Sequence, residues 1–261
     1  MRSHIGYATV EVRLPDDVFD DDVAGVLAHP DPGNCRGAAV VPADKGIYLI
    51  AGLGMMNQDP PRGIDGFMAH LDAAPSPIVG EIARKAEFLT DIATRVRGSR
   101  PRVGENLTQR PDGYLLTGDA VMAFNQLYGQ GMSVAACEAV ALCRSLSEDS
   151  STAGLAHRGQ TAMKDVIDVV IAMAVSTDGA YEGAERIGVQ RPSADDMEAG
   201  ALLSRVATDD PEVALAFKRY ARYLDRVALQ SPSIADKLAA WKVGNREVLH
   251  DNPLVIPGNI G

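Results

Sequence analysis

The stretch that most narrows what this chain can become runs from Gly118 to Gly131. Gly118-Asp119 closes a short apolar run at residues 114–117, and Gly129-Gln130-Gly131 opens a run of small residues. A chain places glycine this densely between a strand and a helix where something must lie close against its backbone. The pattern predicts a strand at 114–117, a loop, and a helix over about 131–146, kept slim by Ser133, Ala135, Ala136 and Ala139. The parts have complementary chemistry. Gly118 lets a ligand approach the strand end, and Asp119 offers a carboxylate acceptor suited to polyol hydroxyls. Gly129 and Gly131 leave backbone N–H groups at a helix N-terminus, whose partial positive charge favours an anion or an electron-rich ring. The competing reading is a tight strand-to-helix turn in which Asp119 is only a local cap.

Ahead of this stretch the chain reads as a sheet. Residues 7–14 alternate polar and apolar side chains, as a half-buried strand does. Residues 37–42 and 46–53, separated by Ala43-Asp44-Lys45, read as a hairpin. Helices are expected at 64–73 and 77–88, then a strand at 91–97 and a basic turn through Arg100 and Arg102. From Ser150 onward the pattern is helix and loop only. Residues 163–175 are apolar enough to be buried, and Asp210-Pro211-Glu212 reads as a helix start. Val213, Phe217, Tyr220 and Leu224 would share that helix's buried face. The expected division is a sheet with helices at 1–97, a glycine-motif segment at 98–149 and a helical region at 150–261. The fold class is therefore α+β, with an antiparallel or mixed sheet followed by strand, loop and helices.

Charge and composition exclude several functions. A net charge of −10 gives no basic surface for nucleic acid. The most apolar stretch, 166–175, is about half the length of a membrane span and carries Asp168. Cys35, Cys137 and Cys143 have neither a metal spacing nor a disulfide framework, which points to a reduced, cytoplasmic setting. Asn106-Leu107-Thr108 is a glycosylation triplet with no secretory context. His4, His29, His70, His157 and His250 show no ligand spacing, so no metal site is expected. Ser133 is not in a nucleophile elbow. Asp195-Asp196 and Asp209-Asp210 read as loop and cap residues. Arg97, Arg100 and Arg102 have the charge to neutralise a cofactor phosphate, but they read as surface cations. Gly52-Leu53-Gly54 mimics the start of a dinucleotide fingerprint, but it lacks the third glycine and runs into Gln58-Asp59-Pro60-Pro61.

The central stretch resembles the second flavin-binding motif of FAD-dependent aromatic-type monooxygenases, the p-hydroxybenzoate-hydroxylase-like group. The matching residues are Gly118, Asp119, Ala120, Phe124, Asn125, Tyr128, Gly129, Gln130, Gly131, Met132, Ala135 and Glu138. The resemblance implies a cofactor site at Gly118, Asp119, Ala120, Asn125, Gly129, Gln130, Gly131 and Met132. In it the aspartate would meet the ribityl chain of FAD, and the helix N-terminus would meet the pyrimidine end of the ring. It also implies NAD(P)H as reductant and a hydrophobic or aromatic small molecule as substrate. No catalytic side chain is assigned, because the family's oxygen transfer often needs none.

Two departures from the family stand out. Gln126 replaces the family's proline, which frees φ and restores an N–H in the loop. The family's initial Gly-x-Gly-x-x-Gly unit, which takes the ADP half of FAD, has no counterpart in these 261 residues. The expectation is a C-terminal part of a flavoprotein monooxygenase with a partial FAD site, incomplete as encoded. The alternative is a non-catalytic remnant or subunit that binds no FAD without a partner chain, such as an N-terminal dinucleotide-binding chain; the isolated chain is then expected to stay colourless or to self-associate.

Overall fold

A computed structural model describes residues 4–20, 23–98, 111, 113–184, 193–221, 224–225, 227–244 and 254–257. The chain divides into two compact units. One holds Ser3–Gly98, Tyr181–Ala184 and Leu249–Gly261; the other holds Ser99–Ala180 and Glu185–Val248, with the first two residues.

The first unit is built on an antiparallel sheet. Its strands are β1 (His4–Arg13), β2 (Val23–Ala28), β3 (Arg36–Pro42), β4 (Tyr48–Met55), β5 (Glu87–Phe88), β6 (Ala93–Gly98) and β7 (Leu254–Pro257). The order is β5-β1-β4-β3-β2-β7, and β6 shares the β1 edge with β5. Every pairing among the described residues is antiparallel. In β1 the alternation is realised directly: Ala8, Val10 and Val12 are buried, while Glu11 and Arg13 face out. The register sets Val10 against Ile50, Ile50 against Val40 and Val40 against Val26, so one buried aliphatic row crosses four strands.

Helices α1 (Ile64–Asp72) and α2 (Ile78–Ala83) supply Phe67, Leu71, Val79, Ile82 and Ala83 to the same core. Fully burying a side chain such as Phe67 stabilises the unit by roughly 1.5–3 kcal/mol. His70 fastens α1 to β4 through a 2.8 Å hydrogen bond between its Nε2 and the Leu53 carbonyl. The glycines at the end of β4 serve packing. A Cβ on Gly54 would lie 2.0 Å from the Gln58 carbonyl oxygen, because the chain folds back there through left-handed Met56 and Asn57. The fingerprint mimic is thus a strand end making room for its own backbone.

Two expectations are corrected here. The helix expected over 77–88 stops at Ala83, and Glu87-Phe88 instead pair with Val12-Arg13 of β1. Arg13 donates to Glu87 at 2.7 Å across that pair, and Phe88 packs on the core. The region after Ser150 is not purely helical, since β7 pairs with β2. The edge of β2 offers unpaired backbone groups, and a distant segment satisfies them.

The second unit is helical. Its elements are α3 (Gly131–Glu148), α4 (Leu155–Gly179), α5 (Ala194–Asp209), α6 (Pro211–Ala221) and α7 (Pro232–Gly244). Val134 of α3 packs with Val166, Val170 and Ala174 of α4 and with Met122 and Phe124 of the preceding loop. Val206, Val213, Ala216 and Ile234 join α5, α6 and α7 in a second cluster. One member of each acidic pair, Asp196 and Asp210, takes part in a helix cap. Ser193 and Asp196 form a reciprocal capping box, and Asp210 accepts the N–H groups of Glu212 and Val213 at 2.9 and 3.1 Å. Val213 is buried as expected, but Leu224 lies beyond the end of α6 and is exposed. The expected strand at 114–117 does not form a ladder. Leu116 N–H reaches the Gln160 side chain at 3.4 Å, and Leu115 and Leu116 pack beside Val121, Met163 and Ile167. Among the described residues no strand lies beside it, and the segment is held by a helix instead.

Candidate functional site

The Gly118–Gly131 stretch lies wholly within the helical unit. Thr117 is extended (φ −138°, ψ 159°), and Gly118–Ala120 then make one 3-10 turn. Gly118 has φ +57°, a left-handed conformation that L side chains rarely adopt. A second 3-10 turn covers Gln126–Tyr128, capped by the Asn125 side chain, which accepts the Leu127 N–H at 3.1 Å. Gly129 follows, also left-handed at φ +59°, and aims the chain into α3, which begins at Gly131.

The turn brings Asp119 beside the start of α3. A Cβ built on Gly131 would sit 3.8 Å from Asp119 Oδ1, in open contact range. Asp119, Ala120 and Met132 are exposed, Met132 at 87%. No side chain caps α3 at Gln130. Gln130 is buried, and its Oε1 has no hydrogen-bond partner among the described residues. An orphaned buried carbonyl at a helix start is costly unless a ligand or water donates to it. The arrangement offers an acceptor (Asp119), helix N–H donors and a positive dipole end within one turn.

Two buried carboxylates lie behind this surface. Glu138, on the inward face of α3, accepts the Gly118 N–H at 2.5 Å. Burial pushes its carboxyl above the usual range, and that hydrogen bond opposes the shift. Asp178, in the last turn of α4, accepts from Asn125 Nδ2 at 3.0 Å and from the Tyr128 hydroxyl at 2.5 Å. Asn125 is buried, and its side-chain amide is engaged by the protein on both sides.

Of the residues expected from the sequence, Gly118, Asp119, Ala120, Gly129, Gln130, Gly131 and Met132 fall on this one turn-and-helix start. Asp178 was missed. A carboxylate near a helix C-terminus opposes the macrodipole, and that locally unfavourable placement is the signal it carries in sequence. Arg100, Arg102, the glycosylation triplet and His250 lie outside the described residues, as does the side chain of Arg97. Among the described residues no cluster of His, Cys, Asp and Glu is suited to a metal ion. No described helix is long and apolar enough to cross a membrane.

No family model matches the chain. A curated relative, Protein Rv3254 of Mycobacterium tuberculosis, is 27% identical over 148 residues, which is 56% of this chain and 31% of the relative. The chain thus spans less than a third of the curated relative it matches. Similar solved structures include a flavoprotein/dehydrogenase from Cytophaga hutchinsonii, at 12% identity and a TM-score of 0.46. Klebsiella pneumoniae HpxO complexed with FAD and uric acid is similar at 14% and 0.46. OxyS anhydrotetracycline hydroxylase from Streptomyces rimosus is similar at 15% and 0.45. The first two matches each cover 92% of this chain, and the third covers 85%; they take in 56%, 54% and 41% of those structures. At such identities and scores the likeness carries no function from one chain to the other.

Proposed function

We propose that the chain carries the ribityl and pyrimidine side of an FAD site and belongs to a flavin-dependent monooxygenase-like oxidoreductase acting on a hydrophobic or aromatic small molecule. The observation that carries this reading is the meeting of Asp119 with the uncapped start of α3 at Gly131, beside the orphaned Gln130 carbonyl. That donor and acceptor set fits a flavin. Asp119 would accept from ribityl hydroxyls, and Gly131 and Met132 N–H groups would face the pyrimidine oxygens. The Gln130 amide would meet a ring N–H. When bound, FAD supplies hydride acceptance from NAD(P)H and the activation of dioxygen. The protein's part is to bind the ring, to hold negative charge at the dipole end of α3 and to orient the cofactor. Gly118 and Gly129 contribute backbone shape, and Ala120 keeps the approach open.

The test is a titration of the 261-residue chain with riboflavin and with FAD, followed by flavin fluorescence. Both should bind with similar affinity, because nothing in these residues has the pattern of an ADP-half site. Asp119→Ala should weaken both by roughly 1.5–3 kcal/mol, the worth of a charge-assisted hydrogen bond. Equal affinity in the variant would leave Asp119 a turn residue only.

A second reading has its own support. Met132 at 87% and Val140 at 50% exposure put large apolar side chains on the surface of α3. On this reading the chain is a non-catalytic remnant or subunit that binds no flavin until an N-terminal dinucleotide-binding chain covers that helix, and that self-associates through it when alone. Absence of any riboflavin binding by the purified chain favours it.

A further inference from the structure

Glu138 and Asp178 are each 1% exposed. Among the described residues neither is bonded to a Lys, Arg or His side chain. Burying a carboxylate without a cation is costly, and here the compensation comes from neutral donors. The three donors recorded on these carboxylates belong to one loop: Gly118 N–H on Glu138, and Asn125 Nδ2 and Tyr128 O–H on Asp178. The two acids come from different helices and grip opposite ends of the loop. Glu138 holds the residue before Asp119, in its left-handed turn. Asp178 holds the two side chains just ahead of Gly129 and the start of α3.

We propose that Glu138 and Asp178 are paired positioning residues that fix the distance between the Asp119 carboxylate and the N-terminus of α3. Neither touches the ligand surface. Each acts through the loop: one sets where Asp119 projects, the other sets where the Gly129–Gly131 backbone turns. Both left-handed glycines are local conformations with close alternatives, so the loop needs an anchor at each end to keep one geometry. The inference rests on the flavin reading only for its binding arm.

The experiment uses the 261-residue chain with Glu138→Ala, Glu138→Gln, Asp178→Ala and Asp178→Asn. Amide hydrogen exchange is read over residues 113–131, with α6 as the internal control, and the Gly118 amide proton is followed by NMR. The wild-type Gly118 proton should lie far downfield, as a short charge-assisted bond requires, and Glu138→Gln should move it upfield. Each alanine variant should speed exchange in the 118–130 loop by about tenfold or more while α6 is unchanged, and the Gln and Asn variants should recover most of that protection. Riboflavin affinity should follow the same order. Loop protection untouched by both alanines, or lost equally across α3, α4 and α6, overturns the proposal. If the alanine variants do not fold, an unmoved Gly118 proton in Glu138→Gln overturns it alone. A wild-type chain that binds no riboflavin sinks the flavin reading, and the exchange and NMR results still decide the positioning roles.

Discussion

Gly131→Ala separates the ligand reading from the turn reading. Gly118 and Gly129 cannot do so, because their left-handed φ values already require glycine whatever binds nearby. Gly131 is different. Its φ is not in the left-handed range, and the nearest heavy atom to an added Cβ is Asp119 Oδ1 at 3.8 Å, an ordinary contact. Alanine is therefore sterically permitted, and it is preferred to glycine within a helix by about 1 kcal/mol, with less of that gained at the first position. If nothing binds here, the substitution leaves stability level or raises it by up to about 1 kcal/mol and changes nothing else. If the glycine keeps the space beside Asp119 open for a flavin, the methyl stands in that space. Overpacking of this kind costs about 1–3 kcal/mol, which is at least about a fivefold loss of riboflavin affinity. Urea unfolding gives the stability and fluorescence titration gives the affinity, on the same preparation. Unchanged binding would refute the role of Gly131 in admitting a ligand. A stability loss above about 1 kcal/mol would mean that the glycine is there for packing, contrary to the 3.8 Å clearance.

Gln126→Pro should stabilise the fold by about 0.4–1 kcal/mol, since Asn125 is extended (φ −62°, ψ 119°) and Gln126 opens a 3-10 turn, a position proline accepts. A marked loss in urea unfolding would show that the Gln126 N–H is needed. Gly54→Ala should cost at least roughly 1–3 kcal/mol, because its Cβ would collide at 2.0 Å with the backbone oxygen of Gln58, and it should leave flavin binding alone. Altered FAD or NADH affinity in that variant would revive a nucleotide role for the Gly52-Leu53-Gly54 run. Burial holds the His29 and His70 imidazoles below their ordinary value of 6.5. The unfolded chain therefore binds more protons than the folded one as pH falls through about 6.5, and stability must drop with acidification in that window. Urea midpoints that stay level between about pH 7.5 and 5.5 would contradict this.

The sheet was legible because its signal is local. Alternation in β1 and the turn residues between β3 and β4 state their conformations within a few residues, and the register then follows from which face must be buried. The misses share one cause. Residues 114–117 have strand composition but no strand beside them among the described residues, while Leu254–Pro257 is four residues of weak pattern with an open edge waiting at β2. Whether such a segment becomes a strand depends on a partner far away in sequence. Glu87-Phe88 failed the same way, with helical neighbours before it and β1 beside it.

The site divides along the same line. Gly118-Asp119 and Gly129-Gln130-Gly131 are readable because backbone conformation and helix start are written in the residues that adopt them. The residues that hold those two pieces together are not. Asn125 looks from sequence like a ligand contact and Tyr128 is only a match to the motif, yet both side chains turn inward to Asp178, fifty-three and fifty positions away. A motif of this kind records the shape a ligand would meet; the force that keeps the shape comes from the helices behind it. Asp178 can take that role because its charge is misplaced for α4: an anion in the last turn opposes the helix dipole, so its compensation must come from donors outside the helix. The loop supplies them. The unfavourable local choice and the loop's order are then two sides of one interaction, and substituting either partner should disturb both.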